Sequence, residues 1–136
     1  MYRILVVDDE PAAIKHICNI IAIKCPQFEV TATAEHGQEA LKRLEEETPD
    51  ILITDVKMPV MDGLELICSA MELDPEYQFV VLSAYSDFHM VGQAFKLGAK
   101  EYALKSEMTE EQIVDIIQKC EARKNRLLLE KQKNLA

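Results

Sequence analysis

The chain has 136 residues, 49% of them apolar and 29% charged, which is the balance of one globular domain rather than of a disordered chain. Fifteen basic against 24 acidic residues leave a net charge of −9, which argues against gripping nucleic-acid phosphates by bulk electrostatics.

Tyr2–Val7 is short, apolar and β-branched and stops at Asp8-Asp9-Glu10-Pro11, as a strand buried on both faces does. Pro11, with Asp9 as N-cap, opens a helix whose stripe is Ile14, Ile17, Cys18 and Ile21, and Pro26 ends it. Phe28–Ala34 reads as a second strand, and His36-Gly37 starts a second helix that ends before Pro49. Ile51–Thr54 is a third buried strand ending at Asp55. After the turn Val56–Met61, Asp62-Gly63 leads into a helix carrying Leu64, Leu66, Ile67 and Ala70. Phe79–Leu82 is a fourth strand ending at Ser83. Ser86 caps the next helix, with a stripe of Phe88, Val91, Ala94 and Phe95 and a stop at Gly98. Glu101–Leu104 is a fifth strand ending at Lys105, and Thr109 caps a last helix. Strands separated by helices mean βαβ units, hence an α/β fold with a parallel sheet covered on both faces.

No apolar run approaches the ~20 residues that span a bilayer, and the chain starts directly with a strand-like segment rather than a secretory leader. The four cysteines, Cys18, Cys25, Cys68 and Cys120, form no CxxC pair. A cytoplasmic location with reduced thiols and no membrane contact is expected. A zinc site through His16, Cys18 and Cys25 lacks a fourth ligand.

Ligands of open parallel sheets bind outside the carboxyl ends of the strands. Asp8, Asp9, Asp55, Ser83 and Lys105 all stand at such ends. Three carboxylates in one cleft repel by roughly 1–4 kcal/mol per pair at ~4 Å, and a divalent cation relieves that repulsion. Oxygen ligands suit Mg²⁺, which keeps waters for a phosphate to replace. A carboxylate beside it is a nucleophile toward phosphorus, and a lysine and a hydroxyl hold phosphoryl oxygens.

Val6-Val7-Asp8-Asp9-Glu10-Pro11, the run from Pro49 through Asp55 and Met58-Pro59 to Asp62-Gly63, Leu82-Ser83-Ala84-Tyr85 and Glu101-Tyr102-Ala103-Leu104-Lys105 resemble the response-regulator receiver domain of bacterial two-component signalling over residues 1–122. The resemblance implies a flavodoxin-like doubly wound (βα)5 fold with strand order 2-1-3-4-5. It implies a switch rather than an enzyme, with Asp55 accepting a phosphoryl group from a sensor histidine kinase. Mg²⁺ is then bound by Asp8, Asp9, Asp55 and the Lys57 backbone carbonyl, while Ser83 and Lys105 hold the phosphoryl group. Ser83 and Tyr102 form the switch, and the fourth helix, fifth strand and fifth helix form the responding face. Ser106 departs from the family, which usually has proline and a cis peptide after the lysine. A non-proline cis peptide costs about 2.5–4 kcal/mol, so a trans bond and a differently shaped Lys105 loop are expected.

An aspartyl-nucleophile phosphatase needs a second Asp where Lys57 stands, and a flavodoxin needs a phosphate-cradling loop and flavin-flanking aromatics where this chain has acids and no Trp. The segments around Ser83 and Phe95–Ala99 look most like receivers fused to DNA-binding helix-turn-helix domains, so DNA contact is expected only through an output domain outside these residues. A stand-alone receiver that binds a protein partner is the alternative. Residues 123–136 read as a C-terminal helical extension or linker. Its Leu127, Leu128, Leu129 and Leu135 have no core of their own, which points to fraying or to a homodimer through this helix or through the responding face.

Overall fold

The computed structural model describes residues 2–135. Five strands, β1 (Tyr2–Val7), β2 (Phe28–Ala34), β3 (Ile51–Asp55), β4 (Gln78–Ser83) and β5 (Glu101–Leu104), form one sheet in the order β2-β1-β3-β4-β5. Every pairing is parallel. The five helices are α1 (Pro11–Lys24), α2 (Gly37–Glu47), α3 (Gly63–Leu73), α4 (Phe88–Leu97) and α5 (Glu110–Leu135). This is the flavodoxin-like arrangement expected. No helix is long and apolar enough to cross a membrane among the described residues.

Continuous apolar strands produce two cores, one on each face of the sheet. Ile4, Val6, Ile53, Val80 and Leu82 face α1 and α5, while Leu5, Val7, Leu52, Phe79 and Val81 face α2, α3 and α4. Period-two alternation sends neighbours on one strand to opposite layers. Side chains such as Phe79 and Leu52 are fully buried, each contributing roughly 1.5–3 kcal/mol of transfer free energy.

Three helix starts follow their sequence signals. The His36 Nδ1 accepts from the Glu39 N–H at 3.2 Å and Asp62 Oδ1 from the Glu65 N–H at 2.9 Å. Thr109 and Gln112 form a reciprocal capping box, with the Gln112 N–H donating to Thr109 Oγ1 at 3.2 Å and Gln112 Oε1 accepting from the Thr109 N–H at 3.4 Å. Two expected caps are corrected. Glu10, not Asp9, is the N-cap of α1, and its side chain makes no cap bond because its carboxylate is turned to Lys105. Ser86 lies inside a 3-10 turn, Tyr85–Asp87, that precedes α4.

The α4 stripe is also corrected. Val91 and Ala94 are buried, but Phe88 and Phe95 are 50% and 40% exposed. They lie edge-to-face against Tyr102 of β5, with centroids 5.8 and 5.9 Å away, so these rings satisfy one another at the surface.

Helix α5 continues past residue 122 to Leu135. Arg123 donates to Gln78 Oε1 at 3.1 Å and Glu101 Oε2 at 3.0 Å, and Lys124 Nζ lies 3.3 Å from Asp50 Oδ1. Asn125 accepts from the Tyr2 hydroxyl, and Lys131 pairs with Glu76. The extension is thus latched to the N-terminal ends of the strands, opposite the acidic cluster. Leu127 is half-buried, and Leu128 and Leu129 stay 46% and 57% exposed. The side chain of Leu135 lies outside the described residues.

Candidate functional site

Because β1 and β3 are neighbours in the middle of the sheet, their carboxyl ends bring Asp8 and Asp55 together under one cleft. Both carboxylates are buried, at 0% and 5% exposure. The cleft encloses about 670 Å³, and its walls include Asp9, Glu10, Asp55, Lys57, Tyr85, Asp87 and Lys105. The start of α3 is tied to the chain just after β3: the Gly63 N–H donates to the Val56 carbonyl at 2.9 Å. Val60, in the loop between β3 and α3, holds a φ of 68°, a costly conformation for a β-branched residue and one that clusters at functional loops.

Lys105 ties the site together. Its Nζ donates to Asp8 Oδ1 and Asp55 Oδ2, each at 3.1 Å, and also to Glu10 Oε1. The Lys105–Ser106 peptide is trans, as are all the described bonds, and the lysine reaches both buried acids. Asp55 Oδ1 accepts from the Lys57 N–H at 3.3 Å, and Asp8 Oδ1 from the Glu10 N–H at 2.9 Å. Above them the Lys57 ammonium stands 3.7 Å from Asp87 Oδ1.

Burial and the Asp8 charge push the Asp55 carboxyl up to about 6, against the pull of Lys105. Burial likewise raises Asp8, opposed by the Glu10 N–H and Lys105. Burial works against the Lys105 cation, but Glu10, Asp8 and Asp55 outweigh it and hold the ammonium above its usual range. One lysine therefore does not neutralise the site, which has room for more positive charge.

The donor set fits a hard divalent cation. Asp8, Asp9, Glu10 and Asp55 each offer an oxygen, all within 4.8 Å of one another. Asp8 Oδ2 is buried without a hydrogen bond, although it lies 3.1 Å from Lys105 Nζ: the contact is close but not aligned. An all-oxygen, carboxylate-rich set is the chemistry of Mg²⁺ rather than of zinc. His16, Cys18 and Cys25 form no such group among the described residues.

Ser83 and Tyr102 form no hydrogen bond with the acidic cluster among the described residues. Ser83 is buried, and its hydroxyl donates to the Ala84 carbonyl at 2.7 Å rather than to Asp55. Tyr102 is 41% exposed between Phe88 and Phe95, away from the cleft. Glu10 was not among the expected site residues. Its signal was the third acid in Asp8-Asp9-Glu10.

Over 133 residues the chain is 38% identical to the transcriptional regulatory protein YesN of Bacillus subtilis, covering 98% of this chain but 36% of YesN. It is 42% identical to the chemotaxis protein CheY of Listeria monocytogenes over 105 residues, 77% of this chain and 87% of CheY. Among solved structures it resembles the REC domain of AraT, a response regulator from Geobacillus stearothermophilus, with a TM-score of 0.87 and 29% identity over 93% of this chain and 98% of that one. With the response regulator receiver domain matching residues 4–118 on this fold, the chain belongs to the receiver-domain family of response regulators.

Proposed function

We propose that the chain is a phosphorylation-activated switch in which Asp55 accepts a phosphoryl group from the phosphohistidine of a sensor kinase. The observation that carries this reading is the Asp55 carboxylate at the end of a central strand, bonded to Lys105 and clustered with Asp8, Asp9 and Glu10. An Asp55 oxygen attacks phosphorus, the P–N bond breaks, and the imidazole leaves with the electron pair and takes a proton. Asp8, Asp9, Asp55 and the Lys57 carbonyl hold Mg²⁺, which supplies neutralisation of the charge that develops on the phosphoryl oxygens. Lys105 and Ser83 bind those oxygens, for which the Ser83 hydroxyl turns away from the Ala84 carbonyl.

The phosphoryl group adds roughly two negative charges to a cleft walled by Asp87, the residue just before Phe88 of α4. Movement of Ser83 and inward rotation of Tyr102 then change the face made by α4, β5 and α5. A groove of about 380 Å³ lies on that face beside Phe95, Tyr102 and Ile116, and it suits a second copy or a partner protein. Control of transcription through a further domain is the output we favour, because the match to YesN includes the latched extension of α5. Receiver and extension divide near residue 122, in a cytoplasmic protein.

Adding Mg²⁺ and beryllofluoride, a phosphoryl analogue, is expected to shift the NMR signals of Phe88, Phe95 and Tyr102. The same addition to Asp55→Asn is expected to leave them in place. Unmoved rings in a wild-type protein that binds the analogue would rule out the Tyr102 switch.

A further inference from the structure

Lys105 has three N–H donors, and three carboxylates take them. Asp8 and Asp55 are anchored, because their side chains are 0% and 7% exposed and each also accepts a backbone N–H. The third, Glu10, is different. Its side chain is 65% exposed, and its carboxylate has no other hydrogen-bond partner among the described residues. It also walls the cleft that gives access to Asp55.

A phosphoryl oxygen that needs Lys105 must therefore displace one of these acids. Asp8 and Asp55 are buried and fixed beside the ammonium by their backbone donors, so neither can turn to solvent. Breaking a pair with an exposed partner costs little. The acid that yields is Glu10.

We propose that Glu10 is a positioning residue that acts through Lys105: in the unphosphorylated chain its carboxylate holds the place on the ammonium that the incoming phosphoryl oxygen takes, and so competes with the phosphodonor. The inference rests on the reading of Asp55 as phosphoacceptor. Displaced Glu10 turns to solvent with its charge hydrated, so the competition acts on donor binding and not on the transfer step.

The test is the initial rate of phosphorylation by acetyl phosphate at saturating Mg²⁺, followed by intact mass, for wild type, Glu10→Gln and Glu10→Asp. The Gln variant keeps the size but weakens the hold on Lys105. It is expected to lower KM about three- to tenfold, as loss of one nearby charge facing an anionic donor warrants, with kcat within about twofold. The Asp variant keeps the charge on a shorter arm and is expected to restore KM toward wild type only in so far as it still reaches Lys105, placing it between the two. Mg²⁺ affinity, titrated by calorimetry without donor, measures any share Glu10 has in the cation cluster, and KM is read for each variant at its own saturating Mg²⁺. An unchanged KM in Glu10→Gln, or a large loss of Mg²⁺ affinity with a fall in kcat, would overturn the proposal and make Glu10 a bystander or a metal residue. If wild type itself gained no phosphoryl group at Asp55, the reading beneath the proposal would fail with it.

Discussion

Gly63→Ala is expected to destabilise the protein by about 2–4 kcal/mol, in the upper range for single substitutions. A Cβ there would stand 2.3 Å from the Asp55 carbonyl oxygen and 2.8 Å from the Val56 Cα. Both are backbone atoms, and the Gly63 N–H is itself bonded to the Val56 carbonyl, so neither side yields without moving α3 or the end of β3. Helix propensity alone would favour alanine by about 1 kcal/mol, and the steric cost reverses that sign. Gly92 is the internal control. It lies in α4 with nothing within 4 Å of a built Cβ, and Gly92→Ala is expected to gain up to about 1 kcal/mol. Thermal denaturation of the two variants decides the matter. Equal and opposite shifts from these expectations would mean that Gly63 is not packed on the strand carrying Asp55.

Asp55→Asn is expected to stabilise the protein in the absence of divalent cations, although it removes the proposed reacting group. The carboxyl titrates at about 6 in the folded chain against an ordinary 3.8. Between those values the folded state binds more protons than the unfolded one, so stability falls as pH rises from about 4 to 6 and stays lowered above that. The full penalty at neutral pH is about 3 kcal/mol at most. Asn removes the charge while Lys105 keeps Asp8 and Glu10. A gain of about 1–3 kcal/mol follows, raising Tm by roughly 3–10 °C for a domain of this size. The difference from wild type is expected to be small at pH 4, to grow through pH 5–6 and to level off by pH 7. Added Mg²⁺ is expected to raise the wild-type Tm and narrow the gap. A variant less stable than wild type at neutral pH without metal would show that the buried Asp55 charge is already compensated.

Much of the fold was legible because its signals are local. Unbroken apolar runs such as Ile51–Thr54 can only be strands covered on both sides, and the caps at His36, Asp62 and Thr109 need no tertiary information. Coincidence at strand ends exposed the cluster of Asp8, Asp55 and Lys105, since a parallel sheet turns one sequence position per strand into one edge in space. What failed depends on distant partners. Periodicity cannot separate an aromatic that faces the core from one that faces Tyr102, so Phe88 and Phe95 were misplaced. The latch of α5 is built from pairs 22 to 123 residues apart, such as Arg123–Glu101 and Asn125–Tyr2, which no sequence window contains. Beyond being the third acid of its run, Glu10 carries no separate signal in the sequence, where Asp8, Asp9 and Asp55 already satisfy the cation argument. Its significance appears only once Lys105 is seen to hold it.

In the proposed function, Asp55 is the phosphoacceptor of a cation-dependent site. Intact mass after incubation with Mg²⁺ and acetyl phosphate tests it most directly. The expected result is a gain of one phosphoryl mass that requires Mg²⁺ and is absent from Asp55→Asn. A gain that persists in Asp55→Asn, or a wild-type protein that remains folded yet binds no Mg²⁺, would contradict it.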